Sequence, residues 1–392
     1  MVETETIGAR IRYWRLRRRG MTQAVLAGLA GVSQPYISQV EAGHKSIERR
    51  ATLVAIASAL QVTVADLLGQ PGDPTDPVKA GAADAVPAIW AALVEIEEGE
   101  RRPPARTREQ LSAAIDHSIE LRNRADYARM AGLLPNLLFD AAHNPRTLAQ
   151  VSYHTATCLR HLGYRHLAQT AARIAVSAAE ESEAPEWIGA ARFAYAQSLP
   201  IETAEIASRA AARSVADLQA AAAVPEVRQI LGQLHLSASF TAAVAGRDDD
   251  SAAHLAEATR EADSLGDPAD GAGFNQCGFG PTNVALWRMS IAVERGEYGR
   301  VIELARKVRP DALSAAIRHQ SYWLDLGRAL AHSGRRDGEA LGALLRAERS
   351  APVQFRLNPL ARDTVVMLIR RAHRRSVPHG LRTLARQFDI DA

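Results

Sequence analysis

The chain has 392 residues, 47% hydrophobic and 23% charged, enough for packed cores and two or three domains. Residues 1–70 carry nine Lys/Arg against five Asp/Glu, a net of +4, so the remainder carries −1 of a total of +3. Two cysteines, Cys158 and Cys277, exclude a zinc framework or a disulfide array, and no apolar run reaches the roughly 20 residues of a membrane span.

No signal-peptide pattern is present, and a cytoplasmic location is expected. Alanine is abundant and aromatic residues are 5%, a composition that favours helix because small and unbranched side chains lose little entropy there. The basic excess in the first 70 residues suits a module that meets a polyanion.

Five short helices are predicted in that module. Ile7, Ile11 and Trp14 form an apolar stripe on the first, which Gly20 ends. Thr22 caps the second, which runs through Leu26, Ala27 and Ala30. In Gly31-Val32-Ser33 the glycine makes the turn, Val32 enters the core and Ser33 caps the third helix. That helix turns Ile37 and Val40 inward and carries Gln34, Tyr36, Ser38 and Gln39 elsewhere; Pro35 is tolerated near its start. Leu53, Ile56, Ala57 and Leu60 mark a fourth helix, and Val62 to Leu68 close the unit.

Thr22-Gln23, Leu26-Ala27, Ala30-Gly31-Val32-Ser33, Tyr36-Ile37-Ser38, Glu41-x-Gly43 and Leu60-x-Val62 through Leu67-Leu68 occur in order. With them residues 7–68 resemble the Cro/phage-repressor (Xre) helix-turn-helix family. Arg15-Leu16-Arg17-Arg18-Arg19 is about one residue longer than the family pattern. The resemblance implies DNA binding through the third helix, a phosphate contact at Gln23, and a pair between one helix-1 arginine, with Arg15 the candidate, and Glu41. A recognition helix puts its N-terminal side chains against base edges, and Gln pairs bidentately with adenine. Gln34, Ser38 and Gln39 are the expected base readers, Ser33 lies at the helix start, and Tyr36 is expected on a thymine methyl or a phosphate. His44, Lys45 and Arg49 are expected on the DNA backbone. The alternative for each is a solvated side chain with no role, since phosphate contacts are many and replaceable.

Residues 69–79, with three prolines and two glycines, read as a linker, placed at 71–81 between a DNA-binding domain of residues 1–70 and the rest. Residues 82–106 read as a connecting helix, Ala82–Glu98, and a second break with Pro103-Pro104. From 107 to 392, helices alternate with turns at Gly163, Gly246, Gly296 and Gly334, in units of about 35–50 residues. The expected fold is all-α: a five-helix helix-turn-helix domain followed by a helical-repeat solenoid.

These units resemble degenerate tetratricopeptide repeats, and the whole layout resembles the helix-turn-helix/tetratricopeptide regulators common in actinobacteria, including the stretch Gly278 to Leu286. It is similar in architecture alone to the peptide-pheromone regulators of Gram-positive bacteria. The resemblance implies a homodimeric transcription regulator on a two-fold symmetric operator, with a small-molecule or peptide effector bound by the repeats. The competing reading is a DNA-tethered adaptor whose repeats dock a partner protein. Gly271 to Pro281 is the least repeat-like segment of the body. With it come candidate ligand contacts at Phe279, Asn283 and Trp287, and a second set at Asn358 and Arg362. The alternative for the first set is a plain inter-helix loop with Asn283 as a cap and Trp287 as core, and for the second a plain helix N-terminus.

His154, Cys158 and His161 share a helical face at metal-like spacing, but a core cysteine between half-exposed histidines explains them as well. No P-loop, dinucleotide fingerprint or catalytic arrangement is present; no enzyme activity, metal or cofactor is expected.

Overall fold

The computed structural model describes residues 6–68, 84–372, 377–388 and 390; the linker predicted at 71–81 lies outside them. Among the described residues the fold is all-α, an N-terminal helix-turn-helix followed by helical repeats. No described helix is long and apolar enough to cross a membrane.

The head contains α1 (Ile7–Arg17), α2 (Gln23–Leu29), α3 (Gln34–Glu41), α4 (Arg50–Leu60) and α5 (Val64–Leu68). The caps follow from the sequence: Thr22 accepts from the Val25 N–H at 3.2 Å and Ser33 from the Tyr36 N–H at 3.3 Å. Ile11, Leu26, Ile37, Ile56, Leu60 and Leu67 are fully buried. Burying one such side chain stabilises by about 1.5–3 kcal/mol, so this small head depends on each of them. At Gly8, α1 and α3 approach so closely that a Cβ would lie 1.9 Å from the Val40 carbonyl oxygen.

The connecting helix is found as α6 (Ala85–Glu97). Then come α7 (Arg108–Asn123), α8 (Tyr127–Ala141), α9 (Pro145–His161), α10 (Arg165–Glu181), α11 (Pro185–Ser198), α12 (Ala204–Leu218), α13 (Pro225–Val244) and α14 (Asp248–Leu265). Consecutive helices pack on one another, α9 on α10, α10 on α11, α13 on α14. Ala168, Ala171, Ala172, Ala175 and Ala179 are buried along one face of α10, where small side chains let neighbouring helices close up. The predicted turns at Gly163 and Gly246 adopt φ +92° and +74°, a region in which a Cβ is strained. The chain continues through α15 (Pro281–Arg295), α16 (Tyr298–Ala305), α17 (Ala316–Ser333), α18 (Asp337–Ser350), α19 (Pro352–Arg356), α20 (Pro359–Arg371) and α21 (His379–Gln387).

Compact packing divides the chain into two units. The first gathers Met1–Pro71, Arg288–Val308 and His319–Ala392; the second holds Gly72–Trp287 and Arg309–Arg318. In the first unit the segment after α3 is seated on helices from the C-terminal part of the chain. The buried Asp363 carboxylate of α20 accepts the Ile47 N–H at 2.9 Å, and Glu294 of α15 accepts the Arg50 N–H at 2.8 Å and pairs with its guanidinium. Arg328 of α17 donates to the Glu48 carbonyl at 2.9 Å, and His332 meets the Ser46 hydroxyl at 3.0 Å. A Cβ at Gly43 would strike the Arg370 guanidinium. The Ile47 and Arg50 N–H groups and the Glu48 carbonyl are thereby satisfied by side chains, which ties this segment down.

Burial raises the Asp363 pKa from its ordinary carboxylate value to about 6, against the opposing Ile47 N–H and the charge of Arg328. A carboxyl whose pKa is higher folded than unfolded binds its proton more tightly in the native state. Its contribution is full at acid pH and is lost as pH rises through about 6. Asp363→Asn cannot titrate. Relative to that variant, the wild-type protein should gain about 2 kcal/mol between pH 7 and pH 4.5, read by denaturant unfolding at both values.

Candidate nucleic-acid interface

On α3, Gln34 and Gln39 are exposed and Ser38 is half-buried beside them, while Ile37 and Val40 close the opposite side. The outward face thus carries two amides and a hydroxyl, groups that offer a donor and an acceptor within one side chain. Ser33 is exposed, its hydroxyl oxygen engaged in the cap.

The orientation of the first amide is set from inside the head. Glu41 is buried and accepts two bonds from Arg15, Nε to Oε1 at 2.6 Å and Nη2 to Oε2 at 2.8 Å; Arg15 also donates to the Met21 carbonyl at 3.2 Å. This is the pair that the family resemblance implied. It holds the Arg15 guanidinium above its ordinary pKa through the Glu41 hydrogen bonds, outweighing desolvation. The Gln23 Nε2 donates to Glu41 Oε2 at 2.8 Å. A carboxylate can only accept, so Gln23 must present its amide nitrogen there and its oxygen outward. That oxygen accepts from Gln34 Nε2 at 3.0 Å, which leaves the Gln34 oxygen and its second N–H for a partner. One buried ion pair therefore fixes the orientation of an exposed side chain two steps away. An open recess of about 630 Å³ adjoins this relay, lined by Arg15, Arg18, Gly20, Thr22, Gln23 and Gln34.

One expectation is corrected in part: Tyr36 is half-buried and its hydroxyl is buried, so it offers no hydroxyl to a phosphate; burial pushes its pKa up, and the Lys45 ammonium lies 4.9 Å from its ring centroid. Lys45 is half-buried and pairs with Glu48 at 2.8 Å. His44 and Arg49 are exposed. Among the other arginines in and just after α1, Arg17 lies over the Tyr13 ring, Arg18 holds Gln61, and Arg12 and Arg19 are exposed.

The candidate ligand contacts fall in both units. Phe279 is a correction: it is 1% exposed and packs its ring against Gly232, a core residue with no face for a ligand. Asn283 is fully buried and donates to Gln233 Oε1 at 2.9 Å and to the Cys277 carbonyl at 3.3 Å, while its own oxygen has no partner. Trp287 is half-buried, edge-on to Phe240 with ring centroids 5.8 Å apart. In the first unit, Asn358 is a helix cap, accepting from the N–H groups of Leu360 and Ala361 at 3.0 and 3.2 Å, and Arg362 is half-buried in the first turn of α20.

The irregular segment around Phe274–Gln276 does cross other helices of the second unit. Phe274 meets Trp187 edge-on at 5.3 Å, Asn275 accepts from Arg122 at 2.7 Å through its carbonyl, and Gln276 accepts from Asn123 at 2.9 Å. Asn275 and Gln276 both hold positive φ, 45° and 58°, a strained conformation for side-chain-bearing residues that the surrounding contacts impose. His154, Cys158 and His161 do not converge. His154 meets Ser118 and Asn275, the Cys158 thiol donates to the Tyr127 carbonyl at 3.4 Å, and His161 stacks on Tyr127. Among the described residues no group of three His, Cys, Asp or Glu could hold a metal.

A capped helix with an outward polar face, set across a second helix by a glycine turn, defines a helix-turn-helix DNA-binding domain. A helix-turn-helix family model matches residues 11–67. Among solved structures, PlcR of Bacillus thuringiensis in complex with the peptide PapR7 and DNA is similar at 16% identity and a TM-score of 0.35, over 67% of this chain and 95% of that one. No curated protein matches the chain.

Glu41→Ala leaves the Arg15 guanidinium buried without its anion. Removing one partner of a buried pair costs about 3–5 kcal/mol, and equilibrium unfolding should read that loss. Arg15→Met/Glu41→Leu, which replaces both charges, should recover much of the stability while leaving Gln23 and Gln34 without their anchor.

Proposed function

We propose that the protein is a sequence-specific transcription regulator that binds a two-fold symmetric operator as a homodimer, with α3 as its recognition helix. The observation that carries this reading is the relay from Glu41 through Gln23 to Gln34. An amide whose donor and acceptor ends are fixed in advance loses less freedom when it pairs with adenine N6 and N7. Gln34 and Gln39 read bases, Ser38 and Ser33 contact bases or phosphate at the helix start, and Gln23, His44 and Arg49 approach the backbone. Two heads related by a dyad place their recognition helices one DNA turn apart or a multiple of it.

We further propose that a small-molecule or peptide effector bound by the helical repeats controls operator affinity. Support comes from the first unit, where Asp363, Glu294, Arg328 and His332 hold the segment that follows α3. A rearrangement of α15, α17 or α20 cannot leave Ile47 and Arg50 in place. An effector that binds one arrangement of those helices more tightly shifts the heads by that difference in affinity.

Selection of binding sites from random duplex DNA at fixed salt tests the first proposal. The wild-type protein should enrich a two-fold symmetric motif. Gln34→Ala/Gln39→Ala should lose at least 10-fold in affinity for that motif, at about 1–3 kcal/mol per bidentate contact, with nonspecific affinity unchanged. Equal enrichment by the variant would remove α3 as the reading helix.

A further inference from the structure

The net charge of −1 on residues 71–392 conceals a division that follows the packing. Segments 288–308 and 319–392, which join the head in the first unit, hold 18 Lys/Arg against 10 Asp/Glu, a net of +8. With the head, the first unit reaches +12, and the second unit carries −9. The acids of α18 are already engaged: Asp337 meets Arg371 at 3.3 Å, Glu339 meets Arg336 at 2.5 Å, and Glu348 accepts from Gln387 at 3.0 Å. Arg335, Arg349, Arg370 and Arg386 are exposed, and among the described residues none of them forms an ion pair.

One of these arginines, Arg370 in the last turn of α20, stands at the end of α3. Helix α20 grips the segment after α3 at two points. Asp363 accepts the Ile47 N–H at 2.9 Å, and two turns further on Arg370 places its guanidinium in the space that a side chain at Gly43 would fill. Gly43 turns the chain at φ +69°, one residue past the cap of α3, and His44 beside it is exposed. The α20 dipole favours a cation in its last turn, but a dipole does not direct that cation to the backbone of another element. No acid draws it there either, since Asp363, the one acid of α20, is buried and bonded to Ile47. A recognition helix in the major groove brings the residues that follow its C-terminal end to the sugar-phosphate backbone. His44 and Arg49 are the head's own candidates for that contact, and Arg370 adds an exposed, forked donor beside them.

We infer that the C-terminal helices form a second DNA-contacting surface, in which Arg370 of α20 binds a backbone phosphate beside the C-terminal end of α3. This rests on the reading of α3 as the recognition helix and extends it: the operator is held by two parts of the chain, one of them remote from the helix-turn-helix in sequence. The +8 of those segments supplies long-range attraction for DNA, and Arg370 supplies the directed contact. A phosphate gives this guanidinium the anion that the chain itself does not provide.

The test measures the affinity of the full-length protein for a random-sequence duplex, and for the motif enriched by selection, over a series of salt concentrations. Arg370→Gln should weaken both by the same factor, roughly 5-fold per head at about 0.15 M salt, and should flatten the slope of log affinity against log salt by about 0.9 per head. Arg370→Lys should keep the slope, because the charge remains. Arg129→Gln removes an exposed cation of α8 in the second unit and should change neither affinity nor slope. Arg370→Gln should melt with the wild-type protein, which separates a phosphate contact from a structural one. An unchanged slope in Arg370→Gln, or an equal flattening in Arg129→Gln, would overturn the surface. Failure of the reading beneath it has a different signature. If Gln34→Ala/Gln39→Ala keeps the motif while Arg370→Gln flattens the slope, the surface stands and α3 is not the reader. If the double variant loses the motif while Arg370→Gln keeps the wild-type slope, the head holds DNA alone and the surface falls.

Discussion

The head is organised around one buried carboxylate. Glu41 is on the inner side of α3, out of water, and a charge in that position survives only if every lone pair is used. Arg15 supplies two bonds from α1 and Gln23 a third from α2, so three helices are tied at one point. An apolar residue there would hold the helices at least as well. What it would not do is tell Gln23 which end of its amide faces in, and through Gln23 which end of Gln34 faces out. The charge contributes geometry to the exposed face more than it contributes stability.

The same constraint governs the segment after α3. Its backbone donors at Ile47 and Arg50 end on carboxylates 316 and 244 residues away in sequence, and the Glu48 carbonyl on Arg328. Lys45 pairs with Glu48 beside this arrangement, and its ammonium lies near the half-buried Tyr36 ring. The head is thus joined to the C-terminal helices by groups that lose their partners if the two separate. In the second unit Asp140, Glu186 and Glu261 are likewise matched by arginines.

Much of the head was legible because its signals are local. Thr22 and Ser33 cap the residues three positions on, Gly31 turns between neighbouring helices, and Ile37 and Val40 follow a 3.6-residue period. The helices of the body, α6 included, and their glycine turns were legible for the same reason. The misplaced residues share the opposite property. Tyr36 is on the side of α3 that leads toward Lys45 and the C-terminal helices, and nothing within one helical turn reveals what covers it. Phe279 sits in a glycine-rich stretch that reads as an open loop, yet Gly232, 47 residues earlier, leaves the space its ring fills.

The sequence alone determined the all-α class, the helix-turn-helix, its caps and turns, and the polar face of α3, since each depends on contacts spaced three or four residues apart. Tertiary structure decided which charges meet. It brought Asp363 to Ile47 and Glu294 to Arg50, and it put Phe279 into the core. Ion pairs and apolar contacts between distant segments carry no period along the chain; they exist only once the helices have packed, and burial then sets which of them must be satisfied.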